Sequence, residues 1–112
     1  MRVFRMGLWI VWTVLAIYTG VVIAEHGMGL LPIFFGDMAR MGWPGQFNLD
    51  FTIMLGLSAT WVAWRHQFSA VGLALAVVAF FGGAGFLCPY LLVASVQAKG
   101  DPRLLLLGRN AP

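Results

Sequence analysis

QFNLDFTIMLG, residues 46–56, opens like a membrane-spanning helix except for one letter. Asp50 sits there with Asn48 and Gln46 close by, at the head of a run, Phe51 to Trp64, that carries no charged residue. Two more runs share that property, Met6 to Ala24 and Gln67 to Ala98. A hydrocarbon core of about 30 Å is crossed by roughly 20 helical residues, because each advances about 1.5 Å. With 61% hydrophobic and 10% charged residues among 112, the chain lies outside the range of water-soluble globular domains. The expected fold is therefore all-α and integral to a membrane. It has three transmembrane helices, at about 5–25, 47–65 and 69–95, in one domain with a polar tail at 96–112.

The connections refine that picture. Arg65-His66-Gln67-Phe68-Ser69 is too short for anything but a hairpin between antiparallel helices, with Ser69 placed to cap the third. The first connector, 26–46, is apolar but broken by glycines and by Pro32 and Pro44, and it carries Asp37 and Arg40 three apart. It reads as an amphipathic segment in the headgroup layer, with Phe34, Phe35 and Trp43 turned down. Gly72, Ala76, Ala79 and Gly83 recur at spacings of four, three and four, a stripe of small side chains suited to close helix packing. The tail holds Leu104 to Leu107 behind a Gly100-Asp101-Pro102 turn, too short to span, so it is expected to fold back on the surface or dock on a partner.

Arg2 and Arg5 before the first run resemble the start of a secretory signal, with Val22-Ile23-Ala24 as a cleavage pattern. The apolar stretch exceeds an ordinary signal core of about 7 to 15 residues, so it reads as a retained span. Three spans put Arg2, Arg5 and Arg65 on one side and Arg40, Lys99, Arg103 and Arg109 on the other, and the positive-inside rule barely chooses. Glu25 and Asp37 in the connector favour a cytoplasmic N-terminus. The net charge of +3 has no basic run behind it and makes no case for nucleic acid. Cys88 stands alone, which excludes an internal disulfide or a multi-cysteine metal site.

Following depth through three straight helices gathers the polar groups at one face: Glu25 and His26 as the first exits, Asn48 and Asp50 as the second enters, and Tyr90 late in the third. Pro89 obstructs the bond to the Gly85 carbonyl, so a kink there should expose an acceptor. A carboxylate deep in hydrocarbon costs about 2.5–3.5 kcal/mol, so Asp50 should face protein, water or headgroups. One reading makes Asp50 and Glu25 a site for protons, ions or a headgroup. The other makes Asp50 a first-turn residue complementing the helix dipole, with Asn48 capping amides.

His26 and His66 end antiparallel helices and so lie on opposite faces, which prevents one subunit from offering both to one haem iron. Trp9, Trp12, Trp61 and Trp64 fit interfacial anchors. No HExxH, phosphate loop or nucleophile triad is present, so no catalytic residue or metal ligand is assigned.

Residues 25–64, together with FLCPYLLV at 86–93, resemble a family of small bacterial inner-membrane proteins defined as a domain of unknown function. The matching features are Gly29-Leu30 before an apolar connector, Phe47 to Asp50 opening a span, Trp61 or Trp64 near its end, and Pro89 in the last helix. The similarity covers about residues 20–95 and its motifs are short and apolar. The Gly-rich third helix and the longer Leu-rich tail depart from the pattern. The resemblance implies residence in a bacterial inner membrane and no particular activity.

Three functions remain open from the residues. The first is a non-enzymatic accessory subunit, a homo-oligomer or part of a larger membrane complex, associating through the small-residue face. The second is a transport or lipid-binding module in which Asp50, Glu25 and Tyr90 line a cavity beside Pro89. The third is a pigment- or haem-associated subunit; the cofactor, if any, is not readable.

Overall fold

The computed structural model describes all residues, 1–112, and contains helices and no strands. In order these are α1 (Arg2–His26), α2 (Leu30–Ala39), α3 (Trp43–Arg65), α4 (Ala70–Gly82), α5 (Ala84–Gln97) and α6 (Pro102–Leu107), followed by a 3-10 turn, Gly108–Asn110. The long axis of 47 Å compares with about 40–45 Å for a bilayer including headgroups. Of these helices α1 alone is both long and apolar enough to cross a membrane by length and composition. The 23 residues of α3 have the length, about 35 Å, but its first third carries Gln46, Asn48 and Asp50.

The third helix is not continuous. Gly83 takes φ +53 and ψ −137, a conformation in which a side chain is strained, and it separates α4 from α5. The sequence reading placed Gly83 in a packing stripe, and a helical stripe and a helix break use the same residue for different reasons. Its bare Cα also sits beside Phe51 and Leu55 of α3. Up to that point α4 runs antiparallel to α3, starting where Ser69 Oγ accepts the Gly72 amide at 3.2 Å. Gly72 and Ala79 are buried along this contact, with Ala76 half-buried, so the small-residue stripe is filled by the chain's own α3.

Beyond Gly83 the chain turns back. Tyr90 reaches Trp61, Arg65 and His66, all at the C-terminal end of α3, so α5 runs antiparallel to α4 and parallel to α3. The α5 helix also lies antiparallel to α1: Arg5 donates to the Ser95 hydroxyl (2.9 Å) and carbonyl (3.0 Å), and Trp12 donates its indole N–H to the Gly85 carbonyl at 3.1 Å. That carbonyl is the acceptor released by Pro89, which stays inside helical α5; the sharp change of direction lies six residues earlier, at Gly83.

The connector contains a helix of its own, α2, packed on α3. Asn48 holds it there, donating to the Phe34 carbonyl at 3.0 Å. Because α3 begins at Trp43, with Pro44 in its first turn, Asn48 lies in its second turn and Asp50 at the start of its third rather than at the helix start. The assignment of Asn48 as a cap, and of Asp50 as a first-turn carboxylate, is therefore corrected. The tail folds back on the chain as α6, and Leu105 packs with Ala94 and Ala98 in a small core.

This topology gives the molecule two chemically distinct ends. Arg2, Arg5, Arg65, Lys99, Arg103 and Arg109, six of the seven cations, gather at one end with Asp101; Arg40 lies at the other with Glu25, Asp37 and Asp50, three of the four acids. Between them only 11 of 112 residues are buried, and large apolar side chains such as Val14, Ile17, Leu57 and Val77 are exposed.

Candidate functional site

The densest polar cluster occupies the basic end. Arg65 closes α3, and His66, Gln67 and Phe68 turn the chain in a Schellman arrangement: the Phe68 amide donates to the Ala63 carbonyl (2.8 Å) and the Gln67 amide to that of Trp64 (2.9 Å). The left-handed position, usually glycine, is Gln67 at φ +54. Its amide side chain donates to the Arg109 carbonyl at 3.1 Å, a tie to the tail that offsets part of the backbone strain.

Arg65 is 7% exposed, and no carboxylate pairs with it. Neutral acceptors hold it instead: Nε donates to the Leu105 carbonyl (2.6 Å), Nη2 to the Leu104 carbonyl (3.4 Å) and Nη1 to the Tyr90 hydroxyl (3.2 Å). Its guanidinium also lies 5.6 Å from the centre of the Tyr90 ring. The carbonyls come from α6, a helix whose Asp101 cap accepts the Arg103 amide at 2.9 Å and whose first residue is Pro102. A short capped helix thus aims carbonyls of its last turns, Leu104 and Leu105, at a cation buried in the bundle.

Tyr90 and His66 complete the cluster, with the Tyr90 hydroxyl 2.7 Å from His66 Nε2. Burial first, then the positive charge of Arg65 and that of Arg109, hold the imidazole below its ordinary value of 6.5. A neutral His66 accepting from Tyr90, while Tyr90 accepts from Arg65, satisfies all three groups. Trp61 donates to the Leu106 carbonyl (3.1 Å) and Asn110 to that of Trp64 (2.7 Å), so the tail is sewn to α3 from both directions.

Two adjoining hollows border the cluster. One, of about 400 Å³, lies between α4 and α5, with Leu75, Phe86, Pro89 and Val93 on its walls and Arg65, His66 and Gln97 at its mouth. The other, of about 280 Å³, shares Arg65, His66 and Gln97 and is bordered by Arg109 and Leu104.

The residues singled out from sequence divide between the two ends. Tyr90 belongs to the basic cluster and is not brought to Glu25 or Asp50; the expectation that straight helices would gather them at one face fails because Gly83 reverses the chain. Glu25 lies 4.0 Å from the neighbouring His26, both largely exposed. Asp50 is exposed and forms no hydrogen bond or ion pair. Asn48 is engaged with α2. Cys88 is buried within α5. No three side chains of His, Cys, Asp or Glu come together as a metal-binding group.

Arg65, Gln97 and Arg109 were not among the sequence candidates for a site, and His66 was weighed only as a haem ligand. The signal for them was PRLLLLGRN, an apolar turn bracketed by a proline and a glycine that has to cover something, and the Gly82-Gly83 pair that bends α5 toward it. No family model, curated protein or solved structure matches this chain.

Proposed function

We propose that this chain is a small non-enzymatic integral membrane protein of a bacterial inner membrane, serving as an accessory subunit of a larger assembly. It crosses the bilayer through α1 and α3 and dips into one leaflet through the α4–α5 pair. The observation that carries this reading is the nakedness of α1: none of its 25 residues is buried, although it is joined to the rest along α5. Such a surface is covered by lipid on one side and a partner helix on another, since water around it would expose the apolar patch to aggregation.

At 13 and 14 residues, α4 and α5 are each too short to cross, and their shared basic end supports a re-entrant pair rather than a third span. A backbone break at membrane depth is tolerated where protein covers it or where it lines a cavity; Gly83 lies on Phe51 and Leu55 on one side and borders a hollow of about 670 Å³ beside α1 on the other. The charge partition then favours one orientation, with both termini and the 66–69 turn cytoplasmic, because the positive-inside rule weighs six cations against one.

Alkaline carbonate extraction tests membrane integration, and single cysteines introduced in a Cys88→Ser background test topology. Labels at residues 2, 67 and 112 should react from the cytoplasmic side, and labels at 28 and 41 from the other. Release by carbonate, or residues 67 and 112 on opposite sides, overturns the proposal. Native mass spectrometry after gentle extraction tests the accessory role. A complex of fixed stoichiometry is expected, and a chain that remains monomeric in every lipid mimetic argues against it.

A further inference from the structure

The hollow between α4 and α5 leads from a cationic rim to membrane depth, and we infer that it holds one anionic phospholipid. This rests on the membrane reading above. Along α5 the residues bordering the hollow run from Gly85 to Gln97, an advance of twelve residues or about 18 Å, which compares with about 15 Å for half of the hydrocarbon core. One acyl chain of one leaflet therefore fits the length of the groove, against Leu75, Phe86, Pro89 and Val93. The adjoining hollow beside Arg109 and Leu104 takes the headgroup.

Charge chooses the lipid class. Arg40, at the acidic end, is paired with Asp37 at 3.2 Å, while no cation at the basic end has a carboxylate partner. Arg65 is the sharpest case, a nearly buried guanidinium whose neighbours are carbonyl dipoles and a phenol. Arg109 stands beside the same hollow, tied only by one long bond of 3.4 Å to the His66 carbonyl, and is free to turn onto a phosphate. A phosphodiester with net negative charge supplies the counter-charge that the chain lacks; a zwitterionic headgroup brings its own cation and supplies less.

The test uses the full chain in nanodiscs of mixed phosphatidylglycerol and phosphatidylcholine, released for native mass spectrometry. One phosphatidylglycerol retained per chain is expected. Arg109→Gln should lower its occupancy about tenfold. Val93→Trp should abolish retention by filling the groove from an exposed position that leaves the Arg65 cluster intact. Arg40→Gln, at the far end, should retain lipid like the parent.

Equal retention of the two lipids, or retention undiminished in Val93→Trp, overturns the site. So does a lipid-free dimer that Val93→Trp dissociates, which would give the groove to a second copy. A chain that resists carbonate yet shows any of these loses the site and keeps the membrane assignment; a chain released by carbonate loses both.

Discussion

The two ends of this molecule carry opposite charge and are held in opposite ways. At the basic end the terminal segments fold over the α3–α4 turn, and Arg65, Gln67, Trp61 and Asn110 tie α3 and the turn to the tail. At the acidic end one side-chain bond between helices, Asn48 to the Phe34 carbonyl, fastens α2, and the only close ion pair, Asp37–Arg40, lies within one turn. The one buried cation coincides with tertiary order: tail carbonyls hold Arg65, whereas Asp50 and the Asp37–Arg40 pair tie no helix to another. The reason is that guanidinium and amide donors reach several carbonyls at once, whereas a carboxylate needs donors that helix interiors have already used.

The largest test removes the turn that creates the contrast. Gly83→Leu places a side chain at positive φ against Phe51 and Leu55, and should destabilise the fold by about 2–4 kcal/mol. A thermal scan in detergent should show the loss, and an unchanged midpoint would mean that the reversal is not built on this residue. Next comes Arg65→Met, which removes the cation from the tail carbonyls and from Tyr90, with an expected cost of about 2–3 kcal/mol. Trypsin should then cleave at Arg103 and Arg109 much faster than in the parent, and equal cleavage rates would show that the tail is held by packing alone.

At the acidic end Asn48→Ala should cost about 1 kcal/mol and loosen α2, read as faster amide exchange over residues 30–39. A pH titration sharpens the comparison further. His66 protonates at lower pH in the folded chain than in the unfolded one, so stability is unaffected well above 6.5 and falls as the pH drops through 6.5 toward the folded value. His66→Gln should flatten that slope; a slope that persists would place the titration elsewhere. Smallest of all, Asp50→Asn should change stability by no more than about 0.5 kcal/mol, because the carboxylate is exposed and unpartnered. A larger loss would reveal a partner that this monomer lacks.

Much of the fold was legible as pattern. Long uncharged runs marked the helices, Arg65 to Ser69 marked a hairpin with Ser69 as its cap, and Pro89 pointed to a released Gly85 carbonyl, which Trp12 takes. The polar site was misjudged because depth was counted along a straight third helix, and a single dihedral at Gly83 changes the sign of that count. Tyr90 accordingly moved from the company of Asp50 to that of Arg65. The start of α3 was also set late: Trp43-Pro44-Gly45 reads as a breaker, yet proline fits a first helical turn, and Gly45 is needed where its Cα meets the backbone of Asp37 and Met38.

By itself the sequence determined helix content, the apolar character of α1, and the position of the tight turn, since these follow from composition and from spacing within one helix. Tertiary structure alone decided that α5 returns to the basic end, that the small-residue stripe is used internally, and that a buried arginine without a carboxylate partner borders the hollow between α4 and α5. Those outcomes depend on contacts between separate helices, such as Arg65 with Tyr90, 25 positions away, and Arg5 with Ser95, 90 away, which no periodicity within one helix encodes.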